Sequence, residues 1–137
     1  MLVQDKQGMK AILQESKTVA IVGFSTNTEK GAHYVPKFLQ AHGYRIVPVN
    51  PTITEGLGEK AYASLKDIPF KVDVVDCFRK PEAMPDIARQ AVEIGAKVLW
   101  MQKGIVSEEA SRIADQAGLK VVADHCMFEM HKELLGE

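Results

Sequence analysis

Short apolar runs alternate with longer polar stretches along the whole chain. Five runs rich in Val and Ile have the length of a strand: Thr18–Gly23, Arg45–Val49, Val72–Phe78, Lys97–Met101 and Leu119–Ala123. Runs that are apolar at nearly every position are typical of strands buried on both faces, as in a parallel sheet. The pattern therefore predicts five parallel strands.

The stretches between these runs predict helices. Val35, Phe38, Leu39 and His42 recur at helical spacing, and Gly43 follows them as a C-cap. Similar patterns or end signals occur in four other stretches, one of which carries Pro85 near its start: Val3–Ser16, Pro81–Ile94, Ser107–Gly118 and Cys126–Leu135. The segment Pro51–Ala61 is expected to form a loop, followed by one helical turn that Ser64 caps.

Strands that alternate with helices indicate a doubly wound α/β fold, and 137 residues suit one domain. We therefore expect a single Rossmann-like domain over residues 1–137, with five parallel strands in the order 3-2-1-4-5. That order places Cys77 and Cys126 at opposite edge strands, roughly 19 Å apart at ~4.8 Å per strand, too far for a disulfide.

The composition narrows the class of protein. With 46% hydrophobic and 26% charged residues the chain resembles average globular domains, and a net charge of -1 provides no global field for nucleic acid. No stretch approaches the ~18 apolar residues of a membrane span, and the first residues do not resemble a signal peptide. We expect a cytoplasmic protein that binds neither nucleic acid nor membrane, with both cysteines reduced.

Ligands of parallel α/β sheets bind at the carboxyl ends of the strands, which directs attention to the turn after the first strand. Gly23, Phe24 and Ser25 open this turn and Lys30 closes it. Backbone N–H groups before a helix, with a serine and a lysine, can bind an anion. The turn matches neither GxGxxG nor a P-loop, so a phosphate site and an ordinary connection both fit it.

The end of the second strand bears on the choice of nucleotide. An NAD site needs an acidic residue there for the ribose, whereas this chain has Asn50 and Pro51. An NADP site could use an arginine, but residues 52–55 contain none. A conventional dinucleotide site is therefore disfavoured.

The sequence Asp124-His125-Cys126 follows the fifth strand and could hold a nucleophilic thiol beside an imidazole. Neighbouring residues of a strand point to opposite faces, however, which would separate His125 from Cys126 unless the strand has already ended. No group of residues has the spacing of a metal site. We expect neither catalysis nor metal binding at this position.

Four segments together resemble the small stand-alone coenzyme A-binding proteins, relatives of the N-terminal CoA-binding domain of the succinyl-CoA synthetase α subunit. The segments are GFSTNTEKGAHYVPKFLQAHGYRIVPVNP, VDVVDCFRKPE, LWMQKGI and VVADHCM. The resemblance extends from about Lys17 to Met127 and implies a Rossmann-like fold that binds CoA. The residues that match the family's binding segments are Gly23, Phe24, Ser25, Lys30, Asn50, Pro51, Phe78, Arg79, Met101, Gln102, Lys103 and Gly104.

The charge of the implied ligand singles out the basic residues of this set. Coenzyme A carries roughly -3.5 to -4 charges, and Lys30, Arg79 and Lys103 are the cations available to meet them. Each also fits an ordinary solvated position. Phe78 could lie against adenine or pack beneath a helix, and Trp100 is expected in the core.

Three functions follow as hypotheses. The first is a module that binds CoA or an acyl-CoA without chemistry of its own. The second is an enzyme acting on a CoA thioester by acyl transfer or cleavage, and the third is an NAD(P)-binding regulator. Which CoA species binds, the oligomeric state and any protein partner are left open by the sequence.

Overall fold

A computed structural model describes residues 1–137 as a parallel sheet between two layers of helices. The elements in chain order are α1 (Lys6–Glu15), β1 (Thr18–Val22), α2 (Gly31–Ala41), β2 (Arg45–Val49), β3 (Glu55–Gly56), β4 (Glu59–Lys60), β5 (Val74–Cys77), α3 (Met84–Glu93), β6 (Val98–Met101), α4 (Glu108–Gln116), β7 (Lys120–Val122) and α5 (Met127–Leu135). The predicted doubly wound α/β fold is confirmed. None of the helices combines the length and the apolar character needed to cross a membrane.

The five long strands form one sheet in the order β2-β1-β5-β6-β7, and all four pairings are parallel. Beyond β2, Tyr62 makes a parallel bridge to Val49. When this Tyr62 segment is counted as the third strand, β5, β6 and β7 become the fourth, fifth and sixth, and the predicted order 3-2-1-4-5 describes all of the sheet except the edge strand β7. The strand pattern alone could not show this, because the segment is reduced to a single bridge.

The predicted edge position of Val72–Phe78 is wrong. Its ordered part, β5, lies in the middle of the sheet between β1 and β6. Cys77 is therefore central, and Cys126 follows the edge strand β7. Both thiols are free and buried.

Alternation along each strand divides the core in two. On one face Val75, Leu99 and Met101 pack under α3 and α4. On the other, Ile21 and Trp100 pack under α1, α2 and α5, so Trp100 is core as expected. The helices are therefore divided between the two faces of the sheet.

The helix ends follow the sequence signals closely. Ser107 caps α4 by accepting the Ala110 N–H at 3.1 Å, and Ser64 caps a 3₁₀ turn at Leu65–Asp67. A second 3₁₀ turn, Pro81–Ala83, leads into α3, where Pro85 occupies the first turn without breaking a hydrogen bond.

Two short segments differ from the prediction. The first helix begins at Lys6 rather than Val3, because the Val3 N–H donates to the carbonyl of Val121 at 2.7 Å and extends the sheet edge. The predicted loop Pro51–Ala61 contains the small hairpin of β3 and β4.

Candidate functional site

A cleft of about 650 Å³ lies at the carboxyl edge of the sheet, between the starts of α2 and α5. Its walls include the first turn of α2 and the segment after β5. Five of the residues singled out from the sequence line it: Lys30, Phe78, Arg79, Gln102 and Lys103. Residues from three separate segments thus meet at one place.

Gly23 allows the turns after β1 and β5 to approach each other. Its φ is +86°, and a Cβ atom there would lie 2.6 Å from the carbonyl oxygen of Phe78. The same Cβ would lie 3.3 Å from Nε of Arg79, so the Arg79 side chain passes over this glycine. A larger residue at position 23 would push apart the two turns that form the site.

The first turn is closed by its own hydrogen bonds. Ser25 Oγ accepts the Asn27 N–H at 3.1 Å, and the Ser25 N–H donates to the carbonyl of Ala32 at 3.2 Å. The Ala32 carbonyl is available because Pro36, four residues later inside α2, has no N–H. A proline that would weaken an ordinary helix here helps to hold the turn.

The start of α2 faces the cleft without a cap. Lys30 is its N-cap residue and makes no side-chain hydrogen bond, and the N–H groups of Gly31 and Ala32 have no protein acceptor. These two residues also line the cleft. Unpaired N–H groups at a helix start favour a negatively charged ligand.

Asn50 supports the first turn from below. Its Nδ2 donates to the carbonyl of Phe24 at 2.8 Å, and its Oδ1 accepts the N–H of Thr52 at 2.9 Å. Both ends of the amide are therefore occupied within the protein. Pro51 is exposed and belongs to a separate small pocket of about 90 Å³ beside Arg79.

Seven of the twelve singled-out residues do not line the cleft: Gly23, Ser25, Asn50 and Pro51, described above, and Phe24, Met101 and Gly104. Phe24 and Met101 are fully buried, with the Phe24 ring packed over Gly56 and near His33. Gly104 turns the chain after β6 at φ +86°, and its N–H donates to Oδ1 of Asp124 at 2.7 Å. These residues shape the loops around the cleft.

Gln102 is 5% exposed and ties the cleft to α5. Its Oε1 accepts the N–H of Met127 at 3.1 Å and so caps that helix. The NH₂ group of the same side chain has no protein acceptor. Phe78 is half-buried against the α2 and α5 side of the core and also faces the cleft, so packing and ligand contact are compatible for this ring.

Positive charge is concentrated at the cleft. Lys30, Arg79 and Lys80 line it and form no ion pair, whereas Lys103 lies 3.7 Å from the Glu129 carboxylate. Four cations and one carboxylate thus surround the cleft in a protein whose net charge is -1. The local field attracts anions although the whole chain does not.

Residues 17–132 match the family model described as a CoA binding domain. The chain belongs to this CoA-binding domain family. It is 44% identical over 126 residues to an uncharacterized protein, YneT, of Bacillus subtilis, covering 92% of this chain and 93% of that protein. It is also 30% identical over 129 residues to acetate–CoA ligase [ADP-forming] I of Archaeoglobus fulgidus, covering 86% of this chain and 19% of the ligase. The chain therefore spans about a fifth of that enzyme.

A solved structure shares the Rossmann-like fold of this chain. A hypothetical protein of Pyrococcus horikoshii superposes with a TM-score of 0.94 at 44% identity, over 97% of this chain and 94% of that chain. The resemblance seen in the sequence is thus confirmed at the level of the family. It does not identify which residues contact a ligand.

The structure adds cleft residues that the family segments did not single out. Lys80 follows Arg79, Tyr34 is 47% exposed on α2, and Cys126 and Glu129 come from α5. The Lys80 charge was visible in the sequence, next to a residue already selected. The contribution of α5 was not, because its approach depends on the tertiary contact between Gln102 and Met127.

The neighbouring residues His125 and Cys126 belong to different clefts. His125 lines a cleft of about 720 Å³ beyond β7, and its Nδ1 lies 2.8 Å from the carbonyl of Ala123. Cys126 lines the CoA-binding domain's cationic cleft instead. The imidazole and the thiol are thus separated, but not by strand alternation, because β7 ends at Val122 before either residue.

Asp76 is a buried carboxyl near the carboxyl end of the central strand. Both of its oxygens lack a hydrogen-bond partner, and burial raises its pKa well above the ordinary value. Burial, together with the nearby Asp76 carboxyl, also raises the pKa of the Cys77 thiol. Asp76 lies on the sheet face that carries Val74 and Trp100, and Cys77 lies on the opposite face.

Proposed function

We propose that the protein binds coenzyme A or an acyl-CoA in the cationic cleft as a non-catalytic, regulatory module. The observation that carries this proposal is the group of three unpaired cations, Lys30, Arg79 and Lys80, around one cleft of a weakly acidic protein. Membership of the CoA-binding domain family supports CoA as the source of the negative charge.

The shape and charge of the cleft support a phosphate-rich nucleotide. The unpaired N–H groups of Gly31 and Ala32 can bind one phosphate, and the side chains of Arg79 and Lys80 can neutralise another. About 650 Å³ accommodates a large part of a CoA molecule. Phe78 and Tyr34 offer aromatic surface beside these charges.

The hydrogen bonds at the end of β2 argue against NAD. The Asn50 amide is engaged on both sides by Phe24 and Thr52, and the strand ends in Asn50 and Pro51 rather than in an acidic residue that could accept the ribose hydroxyls. For catalysis, the cleft lacks the required base, because His125 faces another cleft and His33 bonds to the Ser25 carbonyl at 2.8 Å. Binding without chemistry is the simpler function for this set of residues.

Thermal-shift titrations with CoA, acetyl-CoA, dephospho-CoA, NAD and NADP test the proposal. A ligand present at 100 times its dissociation constant stabilises the folded state by ~2.7 kcal/mol. We expect CoA and acetyl-CoA to raise the melting temperature, dephospho-CoA to raise it less, and NAD to have no effect. A shift with NAD and none with CoA would falsify the proposal. Incubation with acetyl-CoA, followed by free-thiol detection, should show no release of CoA above the buffer control.

A further inference from the structure

The two cysteines of the chain occupy contrasting environments. Cys77 is fully buried on β5, on the sheet face covered by α3 and α4. Cys126 is 8% exposed, lies at the N-cap position of α5 and lines the cationic cleft. Only one of the two thiols is therefore placed where a ligand in the cleft could reach it.

Polar groups without partners accompany Cys126. Gln102 is only 5% exposed and lines the same cleft. Its NH₂ group has no protein acceptor. Asp76 lies on the same side of the sheet, two residues before Phe78, with both carboxyl oxygens unpaired. Buried polar groups without partners are uncommon and suit a site that a polar ligand completes.

The chemistry of these groups matches the thiol end of a pantetheine arm. In that arm two methylene groups separate the thiol from an amide nitrogen, and the amide carbonyl follows that nitrogen. An amide NH₂ donor beside a protein thiol fits such a ligand, since the donor can bind the carbonyl while the two sulfur atoms come together. The cations Lys30, Arg79 and Lys80 lie in the same cleft and suit the phosphates at the ligand's other end.

We propose that Cys126 forms a reversible mixed disulfide with a pantetheine thiol held in the cleft. This inference rests on the proposed function, because it uses CoA binding to bring the two sulfur atoms together. The protein would then hold CoA in two ways, as a dissociable ligand and as a covalent adduct that reductants release.

The step is a thiol–disulfide exchange with CoA disulfide as the co-reactant. The Cys126 thiolate attacks one sulfur of the CoA disulfide, and a bond forms between that sulfur and Sγ while the original S–S bond breaks. The second CoA leaves as a thiolate and takes up the proton that Cys126 gave up. The sulfur of Cys126 is oxidised and the departing CoA sulfur is reduced, so the electrons balance.

Intact-protein mass spectrometry tests this inference. The reduced wild-type protein is incubated with CoA disulfide, and the products are compared with those from glutathione disulfide at the same concentration. We expect one added CoA less two hydrogens, formed at least about tenfold faster than the glutathione adduct, because binding aligns the sulfurs. A non-reducing peptide map should place the adduct on the peptide containing Cys126 and leave Cys77 free. Dithiothreitol should remove it.

Variants separate a directed exchange from general thiol reactivity. Cys126→Ser should form no adduct, and Lys30→Ala with Arg79→Ala should slow the reaction with CoA disulfide but not with glutathione disulfide. Equal rates with both disulfides, or an adduct on Cys77, would overturn the inference. Calorimetry with reduced CoA reports on the proposed function separately: binding of reduced CoA without any adduct refutes the disulfide and leaves the binding function standing.

Discussion

The two edges of the sheet carry clefts of similar size and opposite electrostatic character. At the amino edge, a cleft of about 500 Å³ lies where three helices end, near Ser16, Gly95 and Gly118. Its charges are balanced: Asp73 lies 3.7 Å from Nζ of Lys97 and accepts backbone N–H groups as well. Helix carboxyl ends and paired charges make this cleft a poor site for an anion.

The carboxyl edge has the reverse arrangement. There α2 and α5 begin, and the cations Lys30, Arg79 and Lys80 have no carboxylate partner. The helix starts and the cations act in the same direction on a negative ligand. Volume alone does not distinguish the two clefts, whereas the direction of the helices and the pairing of the charges do.

Removal of the unpaired cations should have the largest effect. Each charge-assisted phosphate bond contributes about 1.5 to 3 kcal/mol, so Lys30→Ala combined with Arg79→Ala should weaken CoA binding by about 3 to 6 kcal/mol. The matched control is Lys120→Ala, which removes an unpaired lysine from the amino-edge cleft and should leave CoA affinity unchanged. Isothermal titration calorimetry measures both.

Two outcomes of that experiment would contradict the contrast between the edges. If Lys120→Ala weakened CoA binding as much as the double variant, the effect would be one of overall charge. If the double variant bound CoA normally, Lys30 and Arg79 would be solvated surface residues. Circular dichroism of both variants should show an unchanged fold, because all three side chains lie outside the core.

Two carboxyl groups near opposite ends of β5 allow a second test, by pH. Asp76 is buried, which raises its pKa, so between about pH 4 and its folded-state pKa the unfolded chain releases a proton that the folded chain keeps. Stability should therefore fall as pH rises, by up to about 1.4 kcal/mol per pH unit. Urea unfolding at pH 4.5 and 6.5 should show this loss of stability in the wild type and not in Asp76→Asn.

Asp73→Asn is the control for this pH profile. Burial favours the neutral form of Asp73, but hydrogen bonds from the N–H groups of Thr18 and Lys17 outweigh it, and with the charge of Lys97 they lower its pKa. Asp73 is thus ionised in both states across this range, and its stabilising effect disappears only as pH falls through its lowered pKa. Asp73→Asn should keep the wild-type slope. A wild-type slope in Asp76→Asn, and equally in Asp76→Val, would show that Asp76 is not the group responsible.

Much of the fold follows from local patterns. Apolar runs located all five long strands because strands buried on both faces need apolar residues throughout, and Ser107 and Gly118 marked the ends of α4 correctly. The place of β5 in the strand order could not be predicted from local patterns. Strand neighbours depend on where each crossover places the chain, and the Tyr62 bridge that occupies the third position has no strand pattern of its own.

The candidate site also has a part that the sequence predicted and a part that it could not. Lys30, Phe78, Arg79, Gln102 and Lys103 were selected from strand ends and family segments, and all five line the cleft. Which cations are free was not predictable, since the Lys103–Glu129 pair joins residues that only the packing of α5 brings together. The role of Pro36 also depends on a contact across the turn, to the carbonyl that Ser25 uses.

A pair of glycines gives the smallest and most local comparison between the two edges. Gly23 at the carboxyl edge has φ +86° and Gly95 at the amino edge has φ +75°, so alanine is strained by about 1 to 2 kcal/mol at either position. Only at Gly23 would the new Cβ also meet backbone, 2.6 Å from the Phe78 carbonyl oxygen, whereas Gly95 has no neighbouring atom within 4 Å.

Gly23→Ala should therefore destabilise the protein by about 1 to 2 kcal/mol more than Gly95→Ala, because the turns after β1 and β5 must separate. That separation should also weaken CoA binding, since Arg79 passes over Gly23, while Gly95→Ala should leave affinity unaltered. Urea unfolding gives the stabilities and calorimetry the affinities. Equal destabilisation with equal CoA affinity in the two variants would mean that the close approach of these turns does not determine the geometry of the site.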